Sequence, residues 1–588
     1  MLFDTIEGFH RGSLDLLGRH RARYEAARPR FDQMAYEFKE TSEHIVVKYR
    51  EVSLPLDKTQ PVMVPCYSSD PPDVWENYKL LLLDLPPELL DHVMSLSHII
   101  YVRPWTTVCR TLREHALQRL DAYCDLSMKR NVDMAKAREL EGTSPDALQT
   151  YLQCIIFAER DALLDRMTRL LARPAALERI RTLAFGEDWT HDHAGFVERM
   201  GCAAEVVAGR AHELLAEVLR ASAPVRLIFR AGYLSTVVWR AVAASGSLRG
   251  AAFSTRLVEE RPEWPPARSI INLHICIPAS VRPPNQWNII PLCPSAVALK
   301  VISIERWGSV IPENVFGSFP ANPMAHLQRL DLQHIVADSL FNLAEALAAI
   351  DRAPLTHLSI APVESTIYGD VVYALIDAFR HAPDLRVLHM AGVQYAYPEL
   401  FSHLGQCAPG LEALVLEHRA SESDKPGYSA RWPCPAYEYA PRLAAFPRLR
   451  HLGLNMAMAN PSYASQMLER MENGYAGVGA QPAVKRVPRF GKTSNVEDEL
   501  EDAVGGDEAE WTGKLFAIHG KSLKSLCFHE MERYMTHHCV WSIGRDDGKV
   551  SLKGLTENDE EYMLNCMPMY HSRSWELSSA EMKKMFGL

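Results

Sequence analysis

Apolar residues recur along this chain in triplets of the form L-x-x-L-x-L. Five copies stand at Leu327, Leu330 and Leu332; Leu355, Leu358 and Ile360; Leu385, Leu388 and Met390; Leu411, Leu414 and Leu416; and Leu449, Leu452 and Leu454. Weaker copies stand at Ile180, Leu183 and Phe185; Leu248, Ala251 and Phe253; Ile270, Leu273 and Ile275; and Leu299, Ile302 and Ile304, with one more at Leu523, Leu526 and Phe528. From Ile270 to Leu449 the first positions are separated by 29, 28, 28, 30, 26 and 38 residues, and the last interval carries an insertion from Ser421 to Tyr439. The L-x-L ending alternates, as a strand with one buried face requires. Three copies follow a helical pattern closed by a proline: Phe341 to Ile350 before Ala353-Pro354, Val371 to Phe379 before Ala382-Pro383, and Leu400 to Leu404 before Ala408-Pro409. Proline lacks the N–H that a helix needs and disfavours helical geometry at the residue before it. Each unit therefore predicts a helix and then a strand. Neither covers its own apolar face, so neighbouring units must stack to bury it.

The pattern resembles leucine-rich repeats of the irregular sort, departing from them in lacking the asparagine or cysteine that usually follows the L-x-L. The resemblance implies an α/β solenoid with a parallel concave sheet, expected over residues 176–473, with a terminal repeat or cap over 512–588. Helix-compatible segments fill 126–175 and, with many arginines, 1–53. Pro55, Pro61, Pro65, Pro71 and Pro72 mark a linker over 54–80. A glycine-rich, then basic, then acidic stretch over 474–511 is expected to be solvated and disordered.

Residues 81–125 carry a different signal. Leu85-Pro86-Pro87-Glu88-Leu89-Leu90 opens a segment in which Leu89, Leu90, Val93 and Leu96 make an apolar stripe at helical spacing, followed after a connection by Val108-Cys109-Arg110-Thr111-Leu112. Proline suits a helix start, and Glu88 suits the positive end of the helix dipole. This segment resembles an F-box, a small all-α module, although its connection, Ser97 to Thr107, lacks the usual acidic residue and leucine pair. The resemblance implies that Leu85, Pro86, Glu88, Leu89, Leu90, Val93, Leu96, Val108, Cys109 and Leu112 bind the Skp subunit of a cullin-RING ubiquitin ligase. In such an adaptor Leu89, Leu90 and Val93 are expected to be solvent-exposed or covered by the partner. In a leucine-rich scaffold without a ubiquitin role they would be buried against the first repeat.

Composition changes this picture only by exclusion. Of 588 residues, 47% are hydrophobic and 23% charged, which is ordinary for a folded chain. The net charge of −10 argues against nucleic acid as the main partner. Twelve scattered cysteines read as reduced thiols, Met1 to Ser13 lacks the apolar run of a secretion signal, and no window approaches the roughly 18 apolar residues of a membrane span. An intracellular chain, cytoplasmic or nuclear, is expected, with no membrane partner.

Candidate chemistry is sparse. Gly520-Lys521-Ser522 and Gly491-Lys492-Thr493 lack the earlier glycine of a phosphate-binding loop. Cys527, His529, His537, His538 and Cys539 match no paired zinc-ligand spacing, and His191-Asp192-His193 reads as a solvated turn. No catalytic residue, cofactor or metal is expected. The resulting expectation is a non-catalytic adaptor that docks the Skp subunit and recruits a protein substrate on its solenoid.

Overall fold

The computed structural model describes residue 90 and residues 102–128, 134–187, 204–255, 264–277, 286–304, 308–313, 315–316, 323–362, 366–419, 432–434, 436–456, 512–532, 535–546 and 549–555. The regions expected at 1–53, 54–80 and 474–511 lie outside them, as does His191-Asp192-His193. The chain divides into two units between Leu120 and Asp121.

Helix α1 (Arg110–Asp121) lies in the first unit as far as Leu120. The second is a mixed α/β unit with one open fourteen-stranded sheet, ordered as in the sequence. Its strands are β1 (Tyr123–Met128), β2 (Thr182–Glu187), β3 (Arg226–Arg230), β4 (Gly250–Ser254), β5 (Asn272–Ile277), β6 (Ala298–Ser303), β7 (Arg329–Ile335), β8 (His357–Pro362), β9 (Val387–Val393), β10 (Ala413–His418), β11 (His451–Leu454), β12 (Ser525–Glu532), β13 (Met535–Asp546) and β14 (Lys549–Leu555). Strands β1 to β12 are parallel, and β13 and β14 continue antiparallel.

The triplets set the register. Leu330, Leu358, Leu388, Leu414, Leu452 and Leu526 are partners in successive strand pairs, so one leucine row runs across six strands. Just before each strand, one carbonyl accepts two N–H groups from the next unit. Gln328 O takes Thr356 N at 2.8 Å and His357 N at 3.0 Å; Thr356 O takes Arg386 N at 2.9 Å and Val387 N at 3.0 Å; Arg386 O takes Glu412 N at 2.7 Å and Ala413 N at 2.9 Å. The same fork recurs from Ala122 O to Arg450 O, which locks every parallel strand to one offset.

Connections fill the core side. Between β1 and β2 lie α2 (Met134–Thr143), α3 (Pro145–Leu171) and α4 (Pro174–Leu177); α5 (Ala204–Ser222) and α6 (Thr236–Ala244) follow β2 and β3. Ser144 caps α3 by accepting Ala147 N at 3.3 Å, and Leu152, Ile156, Leu163 and Met167 form its buried stripe. Helices α7 (Leu340–Ala348), α8 (Gly369–Ala378) and α9 (Pro398–Cys407) occupy the three segments that the prolines delimit. Their inward residues, among them Leu343, Leu347, Leu375, Ile376, Leu400 and Leu404, share one hydrophobic core with the leucine row. The short helix α10 (Ala436–Tyr439) precedes β11, and residues 512–519 are helical ahead of β12.

Three readings of the sequence are corrected, and two features it did not disclose are added. The sheet starts at Tyr123, inside the span expected for the F-box, and the helices expected as connectors over 126–175 are the crossover from β1 to β2. Neither β1 nor β3 carries a full triplet, because Asp121 and Pro224 occupy their first positions. The copy placed at Leu299, Ile302 and Ile304 is three residues out of register: Ala298 pairs with Arg329 and Leu299 with Leu330, so Leu299 and Val301 are buried while Ile304 is 52% exposed. Finally, the insertion after β10 contributes to the core, since Trp432 and Tyr439 are buried and the Tyr439 hydroxyl donates to Ala396 O at 2.7 Å.

Candidate partner-binding surfaces

In the first unit, Leu90 is helical and only 2% exposed. It packs with Val102, Leu112 and Ala116, and Trp105, Cys109 and Leu120 lean on this cluster half-buried. Leu112 and Ala116 lie one turn apart on α1, so a single helical stripe faces the cluster. Val102 precedes the 3-10 turn Arg103–Thr107, which Pro104 initiates. Val108 ends that turn and stands 65% exposed, an apolar side chain in water between two elements of the motif.

Leu90, expected to be solvent-exposed or partner-covered in an adaptor and buried against the first repeat in a scaffold, is instead buried among Val102, Leu112 and Ala116 of its own unit. Leu90 is part of this small buried cluster. Cys109 and Leu112 also serve this cluster, whereas Val108 points outward. Leu85, Pro86, Glu88, Leu89, Val93 and Leu96 lie outside the described residues.

In the second unit, the residue between the two apolar positions of each strand faces the opposite side of the sheet. On β5 to β9 these residues are His274, Lys300, Asp331, Ser359 and His389, each paired in register with the next. Lys300 Nζ lies 3.0 Å from Asp331 Oδ2, and the Asp331 side chain is fully buried. Gln333 Nε2 donates to the same oxygen at 3.1 Å. Burial, then the charge of Lys300, pushes the His274 imidazole down to about 4.

Farther along, His389 Nδ1 is 3.2 Å from Ser359 Oγ, and His389 Nε2 is 3.2 Å from Glu417 Oε1. With Glu417 ionised and the ring neutral, Nε2 donates to the carboxylate and Nδ1 accepts from the serine hydroxyl. The order of serine, histidine and carboxylate matches that of a hydrolase. Here, however, β8 is paired on both sides at Ser359, so the backbone N–H groups around it are committed to the ladder rather than arranged as an oxyanion hole. The row acts as a set of locked donors and acceptors, with exposed Arg226 and Arg230 on the same face at β3.

Reading the sequence for apolar triplets passed over this row. Its signal was present as the middle residue of each L-x-L. The zinc pattern considered near the C-terminus falls in the β12–β13 hairpin, where His529 is opposite His538, Glu530 opposite His537 and Phe528 opposite Cys539. Gly520-Lys521-Ser522 is a turn into β12 in which Gly520 N donates to Phe516 O at 2.8 Å. Among the described residues, no helix is long and apolar enough to cross a membrane.

Comparison with models of known protein families and with curated proteins finds no match.

Proposed function

We propose that this chain is a non-catalytic adaptor of a cullin-RING ubiquitin ligase. Its N-terminal F-box-like module docks the Skp subunit, and a leucine-rich-repeat-like solenoid with a concave parallel sheet recruits a protein substrate. The observation that carries this reading is the separate small core of Leu90, Val102, Leu112 and Ala116, which stands ahead of a repeating parallel sheet and leaves Val108 exposed at the motif's second element. The adaptor works by proximity, because holding a substrate lysine near a charged thioester raises its effective concentration. On the sheet face that carries the polar row, exposed Arg226 and Arg230 offer the substrate charged partners. No nucleic acid, membrane or cofactor enters this role.

The test is capture of a purified Skp subunit by the full-length protein. Val108→Asp is expected to weaken capture at least tenfold, about 1.4 kcal/mol, with the far-UV circular dichroism unchanged. Leu90→Asp is expected to abolish capture by unfolding the module, so it serves only as a control. If the folded wild type captures no Skp subunit, the adaptor reading fails and a leucine-rich scaffold without a ubiquitin role takes its place.

A further inference from the structure

Away from the polar row, three metal-ligating side chains converge on the helical side of two neighbouring units. Asp377 lies near the end of α8, and His403 and Cys407 lie one turn apart on α9. Asp377 Oδ1 is 3.1 Å from His403 Nε2, and the Cys407 sulfur is 4.0 Å from each of them. Ligands around a tetrahedral zinc ion, at ordinary bond lengths, sit about 3.3 to 3.6 Å from one another. Closing the triad on an ion therefore needs side-chain shifts of only a few tenths of an ångström. Imidazole, thiolate and carboxylate together select a zinc-class ion over magnesium or calcium.

A cationic side chain already contacts two of these groups. Arg380 Nε donates to Cys407 Sγ at 3.3 Å, and its terminal nitrogen lies 3.2 Å from Asp377 Oδ1. The Arg380 side chain is 59% exposed, so it can leave without disturbing the core. The Tyr373 ring, 5.5 Å from the His403 ring, walls one side. Asp377 and His403 stay reachable from solvent, while Cys407 is buried.

We infer that Asp377, His403 and Cys407 form a three-ligand site for a zinc-class divalent ion, with Arg380 as the side chain that the ion displaces. Binding converts the Cys407 thiol to a thiolate and releases its proton to solvent. The fourth position is left to water or to an exogenous ligand. The bound ion ties α8 to α9 and so two consecutive units to each other. The proposal is independent of the docking role.

The experiment is a cobalt(II) titration of the reduced full-length protein, followed by the thiolate-to-cobalt absorption band. One equivalent is expected to produce the band, and zinc is expected to remove it. Cys407→Ser should abolish it, His403→Gln should weaken cobalt binding at least tenfold, and Arg380→Gln should tighten it several-fold. Absence of the band at millimolar cobalt would overturn the proposal. So would a band unchanged in Cys407→Ser, which would assign it to another of the twelve cysteines.

Discussion

Asn455 shows how much one side chain can carry. Buried after β11, it accepts His418 N at 2.7 Å and Trp432 Nε1 at 3.1 Å through Oδ1, and its amide donates to His418 O at 2.7 Å. It thus continues the β10–β11 pairing with a side chain where the backbone ladder stops. Asn455→Ala strands three buried polar groups and is expected to cost on the order of 3 kcal/mol, read from urea unfolding. His212 is the opposite case. It is buried on α5 among Phe185, Phe229 and Tyr233, and neither ring nitrogen has a hydrogen-bond partner. Burial pushes its imidazole down to about 4 from an ordinary 6.5. Above pH 6.5 it is neutral in both states, and no proton-linked cost remains. As pH falls from there to about 4, the unfolded chain takes a proton that the folded chain refuses. Stability is lost over that window, by about 3 kcal/mol for this residue. His212→Leu should flatten that part of the acid limb of a thermal-stability profile. An equal acid loss in the variant would assign the effect elsewhere, for instance to His274 and His451, which burial also lowers to about 4.

At the scale of elements, adjacent units approach as closely as their smallest residues allow. A Cβ added at Gly405 on α9 would lie 2.5 Å from the Ala445 Cβ and 3.0 Å from its carbonyl oxygen. Alanine is the better helix former by about 1 kcal/mol, yet Gly405→Ala is expected to destabilise by about 1–3 kcal/mol because the two backbones must separate. A rise in melting temperature would show that the helix gives way instead. Element legibility followed the same logic. Where the first triplet position is leucine or isoleucine, as at Leu327 or Ile270, the strand could be read from the sequence. At β6 that position is Ala296, and the neighbouring Leu299, Ile302 and Ile304 formed a false triplet whose last member is in water. The Asp377, His403 and Cys407 cluster was illegible for another reason: two of its members share a helix, but the third comes from the preceding unit.

For the whole molecule, a parallel sheet in sequence order has two edges, and unpaired edges invite association. At the C-terminal side β13 and β14 cover β12, and Arg545 fastens them. Its guanidinium donates to Ala517 O at 3.0 Å in the helical segment 512–519, and to Gly520 O at 2.8 Å and Leu523 O in the turn that leads into β12. Because each parallel strand meets only its sequence neighbours, damage at this end should stay local. Arg545→Ala is expected to speed amide hydrogen exchange across residues 535–555 and leave β5 to β9 protected. Uniform acceleration would instead mean that the sheet opens as one unit.

The sequence by itself determined the repeat spacing, most of the parallel strands, the three proline-terminated helices and the choice of buried leucines, because each follows from local periodicity and the missing N–H of proline. Tertiary structure alone decided what touches what. It turned Leu90 inward and left Val108 in water, aligned Lys300 with Asp331 and Ser359 with His389, and brought Asp377 to Cys407. The reason is that register and packing depend on residues tens of positions apart, whose distances no periodicity encodes.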